Sequence, residues 1–108
     1  MSNSEDVIEK KKALTQYLDD MGVLWSYSIG ENTILSDKEL IEKSLTYLEL
    51  EEMDLLFDIF SYETVRNEWI KEMLPSDYHI ILNKILAYLL FGVKDFDEFR
   101  KKACGKMD

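Results

Sequence analysis

One stretch constrains the fold more than any other: Ser76 to Phe91 (SDYHIILNKILAYLLF), set between the only proline, Pro75, and Gly92. Apolar residues recur at Tyr78, Ile81, Leu82, Ile85 and Leu89, and again at Ile80, Leu86, Leu90 and Phe91. They fill most of a helix circumference. Ser76, His79, Asn83 and Lys84 share one narrow polar stripe that ends in Ala87 and Tyr88. A helix that is apolar nearly all round is buried by its neighbours. The run is also too short for a membrane span and carries Asn83 and Lys84. The expected fold is all-α, a bundle of about five to six helices around a central apolar helix at 76–91.

The rest of the chain reads as shorter helices. Val7, Leu14, Tyr17, Leu18 and Met21 recur at helical spacing from about Glu5 to Met21, with Ser4 as cap and Gly22 as the closing residue. Val23 to Leu35 is irregular. Gly30, Glu31 and Asn32 mark a turn there, and the alternating Trp25, Tyr27 and Ile29 suit a loop plugging one end of the core. Ser36-Asp37-Lys38-Glu39 fits a capping box ahead of a helix carrying Leu40, Ile41, Leu45 and Leu48. Glu49 to Phe60 gives a short helix with Leu55, Leu56, Ile59 and Phe60 inward. Tyr62 to Met73 gives another, with Val65, Trp69, Ile70 and Met73 on one face, broken by Leu74-Pro75. Asp95 to Glu98 signals a last helix that Phe96, Phe99 and Ala103 dock.

With 108 residues and no internal repeat or linker, one domain spanning 1–108 is expected, frayed at about 1–4 and 105–108. A lone cysteine, Cys104, forms no internal disulfide, and the polar N-terminus has no signal-peptide pattern, which points to a cytoplasmic, soluble protein. The net charge of −9 is concentrated: residues 31–60 hold Lys38 and Lys43 against nine acids. Such a surface repels phosphate backbones and suits a basic protein partner instead.

Catalytic and metal signatures are missing. His79 has no second histidine and no glutamate three residues before it, so helix-borne metal motifs fail. No glycine-rich phosphate loop is present, and Arg66 lies too far from His79 for an arginine–histidine ribonuclease motif. Asp95-Phe96-Asp97 resembles a metal-binding acidic pair, but it opens a helix, which makes it a cap. The reading therefore carries no catalytic residue, cofactor or metal. The candidate partner-binding residues are Glu49, Glu51, Glu52, Asp54 and Asp58, an acidic face, and Tyr62, Arg66 and Trp69, which fall along one helix side. Tyr, Trp and Arg are common interface anchors. The competing assignment leaves the acids as a solvated face, puts Trp69 and Val65 in the core, and has Tyr62 stapling the helix start.

Several landmarks fall in a recognisable order: Leu24-Trp25-Ser26-Tyr27, Asp37 to Leu48, Leu55-Leu56-Phe57 to Val65, Trp69 followed by Leu74-Pro75, and Leu82 to Gly92. Over about residues 23–103 this order resembles an uncharacterised family of short all-helical bacterial proteins. Its members are often encoded beside nucleotidyltransferase toxins of the abortive-infection (AbiEii-like) type. The resemblance implies an antitoxin-like or accessory partner of a neighbouring toxin, a non-enzymatic protein–protein interaction module. The alternatives are a self-associating structural helical protein with no toxin partner and, ranked below it, a small carboxylate or metal enzyme.

Overall fold

The computed structural model describes residues 3–24 and 33–104. The Trp25, Tyr27 and Ile29 plug and the turn expected at Gly30 lie outside them. Among the described residues there are six α-helices and no strand, so the chain is all-α. No helix there is long and apolar enough to cross a membrane. The chain divides into two units, Met1–Tyr62 and Glu63–Asp108.

In the first unit, α1 spans Asn3–Asp20. It starts earlier than expected, so Ser4 lies inside the helix and is not its cap. Leu14 and Leu18 are buried, whereas Tyr17 and Met21 stand partly exposed. The helix closes through Gly22 at φ +83°. The Gly22 N–H donates to Asp19 O at 2.9 Å and the Val23 N–H to Leu18 O at 3.4 Å, a Schellman motif that a left-handed glycine makes accessible. The buried Thr15 hydroxyl accepts from the Leu35 N–H at 3.2 Å and donates to Lys11 O at 2.9 Å, tying the lead-in of the next helix to α1.

Helix α2, Asp37–Tyr47, opens on the expected capping box. The Glu39 N–H donates to Ser36 Oγ at 3.2 Å, and the Ser36 N–H to Glu39 Oε1 at 3.4 Å. Leu40, Ile41, Ser44 and Leu45 face inward, and α2 packs against α1. The triplet Lys10 to Lys12 divides among different acidic partners. Lys11 pairs with Asp37 at 2.8 Å and covers the Phe60 ring, Lys10 pairs with Asp58 at 3.4 Å, and Lys12 pairs with Glu9 at 3.8 Å.

The acidic stretch is not one helix. A 3₁₀ turn at Leu50–Glu52 runs into α3, Met53–Phe57, and the chain then turns through Asp58 to Phe60. Met53, Leu56 and Phe60 are buried. Leu55, expected inside, is half exposed because the 3₁₀ start rotates the later residues relative to a continuous helix.

Helix α4, Tyr62–Glu68, leads into the second unit and widens into a π-turn over Trp69–Met73, closed by the Leu74 N–H donating to Trp69 O at 2.8 Å. A 3₁₀ turn at Asp77–His79 precedes α5, Ile80–Leu89, which is shorter than the 76–91 run read from sequence. Gly92 at φ +66° ends that segment. Helix α6, Phe96–Cys104, starts as expected: Asp95 Oδ1 accepts from the Glu98 N–H at 3.1 Å. It packs on α5; Phe96 is buried, while Ala103 is exposed.

The second unit is built on Trp69, which is fully buried. Its ring stacks on Phe91 at 4.5 Å and on Phe99 at 5.9 Å. Its indole N–H donates to Asn83 Oδ1 at 3.0 Å, and Asn83 Nδ2 donates to Met73 O at 2.9 Å. Most buried polar groups in folded proteins have such partners. Arg100 reaches back from α6 to the other end of this element. Its Nε donates to Leu74 O at 2.9 Å, and its Nη2 to Pro75 O at 3.0 Å and Asp77 Oδ1 at 2.8 Å.

Candidate functional site

The Asn83 network decides how α5 is turned. Asn83, Leu86 and Ala87 face inward, so the polar stripe expected over Asn83 and Lys84 does not exist as one face. Ala87, the smallest side chain on the helix, is fully buried. The opposite side carries Ile81, Ile85, Tyr88 and Leu89 at i, i+4, i+7 and i+8, extended by Tyr78 from the preceding turn. These five residues are between 46% and 88% exposed. The helix expected to be buried all round therefore presents an open apolar face.

The size of that face gives it meaning. At about 150–250 Å² per aromatic side chain, Tyr78 and Tyr88 alone expose on the order of 300 Å². The three aliphatic residues extend the patch to the ~300–600 Å² that the largest patch on an ordinary monomer reaches, and such patches mark interaction sites. Lys84 lies on one flank and makes no ion pair among the described residues. Single exposed leucines need no explanation, but five large apolar groups on one helix side do.

No family model, curated protein or solved structure matches the chain.

The predicted partner-binding residues separate into several environments. Trp69 is a core residue and not a surface anchor, because Phe91, Phe99 and Asn83 enclose it. Arg66 is half-buried, with its guanidinium 5.4 Å from the Phe99 ring centroid. Tyr62 is exposed and stacks with Phe57 at 6.3 Å. The helical spacing of Tyr62, Arg66 and Trp69 thus does not make one surface cluster.

The acids also divide. Glu52 Oε1 accepts from the Glu49 N–H at 2.9 Å, and its Oε2 accepts from the Tyr17 hydroxyl. These bonds hold the Glu52 carboxyl below its ordinary pKa, the Glu49 N–H contributing most and the Tyr17 hydroxyl next. The same hydrogen bond, followed by partial burial, pushes the Tyr17 phenol up. Asp58 is paired with Lys10. Among the described residues the Glu51 and Asp54 side chains are exposed and form no ion pair, and Glu49 is exposed beside them.

Sequence reasoning missed Tyr78, Ile81, Ile85, Tyr88 and Leu89. Nearly every position of α5 is apolar, so polarity contrast cannot choose the outward face. The usable signals were Ala87, the small residue that permits close approach, and Lys84, whose ammonium must reach water.

Proposed function

We propose that this chain is a cytoplasmic, non-enzymatic protein-interaction module, an antitoxin-like or accessory partner of a neighbouring nucleotidyltransferase toxin. The observation that carries the reading is the open apolar face of α5, with two tyrosines placed where interfaces concentrate their binding energy. The toxin as partner comes from the order of sequence landmarks. The charge distribution supports it: residues 1–62 hold five basic and fourteen acidic residues, while residues 63–108 hold eight of each. The whole net charge of −9 therefore resides in the first unit. An enzyme acting on nucleic acid or nucleotides carries a basic cleft, and Glu49, Glu51 and Asp54 would steer association towards it.

Self-association is the second reading. It is favoured by the charge balance of the second unit, since two copies meeting at α5 would bring no net charge together. Sedimentation equilibrium of the purified chain with and without the co-expressed toxin separates the two. A monomer that forms a stoichiometric complex supports the toxin partner. A dimer that dissociates on Ile85→Asp and ignores the toxin replaces it with self-association.

A further inference from the structure

A cleft between α1 and α3 is lined wholly by residues of the first unit. Lys10, Ala13, Leu14 and Tyr17 follow one another at i, i+3, i+4 and i+7 along α1 and form its floor and one wall. Leu55 and Asp58 form the other wall. Its volume is about 320 Å³, at the lower end of the ~300–1,000 Å³ typical of binding sites. Leu14 is the buried floor, Tyr17 and Leu55 stand half exposed on either side, and the small Ala13 leaves the space open.

The polar groups of the cleft are already committed. Lys10 and Asp58 pair across it at 3.4 Å, and the Tyr17 hydroxyl donates to Glu52. No set of free donors and acceptors converges on the trough, as a small-molecule site needs for orientation. The charge on the α3 side of the cleft has one sign. Asp54 precedes Leu55 and stands one turn before Asp58, with Glu51 and Glu52 just upstream.

The geometry points to a docking groove for a basic amphipathic segment of a partner protein. An apolar residue of that segment seats between Tyr17 and Leu55, and its flanking lysines or arginines meet Glu51 and Asp54. This is helix-in-groove recognition, with apolar anchors setting affinity and the carboxylate rim selecting a basic partner. It deepens the interaction-module reading and rests on it, naming a second contact surface and the chemistry of its occupant.

The test is fluorescence anisotropy of a short labelled leucine–lysine peptide patterned as an amphipathic helix, titrated with the full chain. Ala13→Trp fills the trough from an exposed α1 position, and Leu55→Ala removes the opposite wall. Circular dichroism checks that both variants fold. The wild type is expected to bind, and each variant to weaken binding about tenfold. Asp54→Lys is expected to weaken binding and flatten its salt dependence, and a leucine–glutamate peptide of the same pattern is expected not to bind. Equal binding by wild type and Ala13→Trp overturns the groove. Binding lost in Ile85→Asp but kept in Ala13→Trp places the peptide on α5 and overturns the groove while leaving the interaction-module reading intact. Failure of that reading is a different result: the peptide binds the groove, yet the chain retains no companion protein when expressed with its neighbouring genes.

Discussion

Replacing Asn83 with leucine removes the polar centre of the second unit while nearly preserving side-chain size. Asn83 is fully buried and makes two hydrogen bonds, accepting from the Trp69 indole N–H and donating to Met73 O. After the change the indole N–H has no acceptor. The Met73 carbonyl keeps the Ser76 N–H at 3.0 Å and loses only one of its two donors. An orphaned buried donor costs about 1–3 kcal/mol. The leucine recovers part of this through apolar burial, but its methyl groups must sit where atoms now approach to about 3 Å, so packing strain of about 1 kcal/mol offsets much of that gain. The expected net loss is about 2 kcal/mol. Urea unfolding followed by far-UV circular dichroism measures it, in the wild type, Asn83→Leu, Trp69→Phe and the double variant. The cycle should return a coupling of about 1–2 kcal/mol, because Asn83→Leu orphans nothing once the indole is gone. A stable Asn83→Leu with an additive cycle would refute the reasoning. Asn83 would then not anchor α5 inward, and Ile81, Ile85 and Tyr88 would lose their outward placement.

Three further outcomes follow from other contacts. Ser44 Oγ is buried in α2 without a hydrogen-bond partner among the described residues, so Ser44→Ala should raise stability by about 1 kcal/mol in the same urea assay. A comparable loss would mean that the hydroxyl is satisfied. Arg100→Leu removes three charge-assisted bonds and should lower stability by about 1.5–3 kcal/mol. Arg100→Lys should rescue little, because an ammonium lacks the planar fork. The Tyr17–Glu52 bond sets both ends of a pH profile. Glu52 is held below its ordinary value, so its contribution is present above the unfolded pKa of about 4.3 and is lost as pH falls through the folded value. Tyr17 is raised, so its contribution is present below the unfolded pKa of about 10 and is lost as pH rises through the folded value. Tyr17→Phe should flatten the alkaline limb and shallow the acid limb of a thermal-stability profile. An unchanged profile would count against the bond.

Three local signals in the sequence were reliable, although Ser4 was misplaced as the cap of α1. The Ser36–Glu39 capping box, the Gly22 closure and the Asp95 cap each need only neighbouring residues, and each is formed. The all-α class followed from helical spacing along most of the chain. What failed was the choice of face where tertiary partners decide it. Asn83 looked like part of a polar stripe, yet Trp69 and Met73 draw it inside. Trp69 looked available as an anchor, yet two phenylalanines distant in sequence enclose it. Leu55 was misplaced by a 3₁₀ turn that no residue type announces. In the acidic face the charges were legible, but not the internal partners that occupy Glu52 and Asp58.

The central claim is that the open face of α5 binds a partner protein. The most direct measurement expresses the tagged chain together with the genes flanking it, as wild type and as Ile81→Asp/Ile85→Asp, and quantifies what co-elutes. Both isoleucines are outward-facing, so the variant should keep the wild-type circular dichroism. The account predicts a stoichiometric nucleotidyltransferase with the wild type and at least about tenfold less with the variant. Equal retention by both chains, or no companion with the wild type, would contradict it.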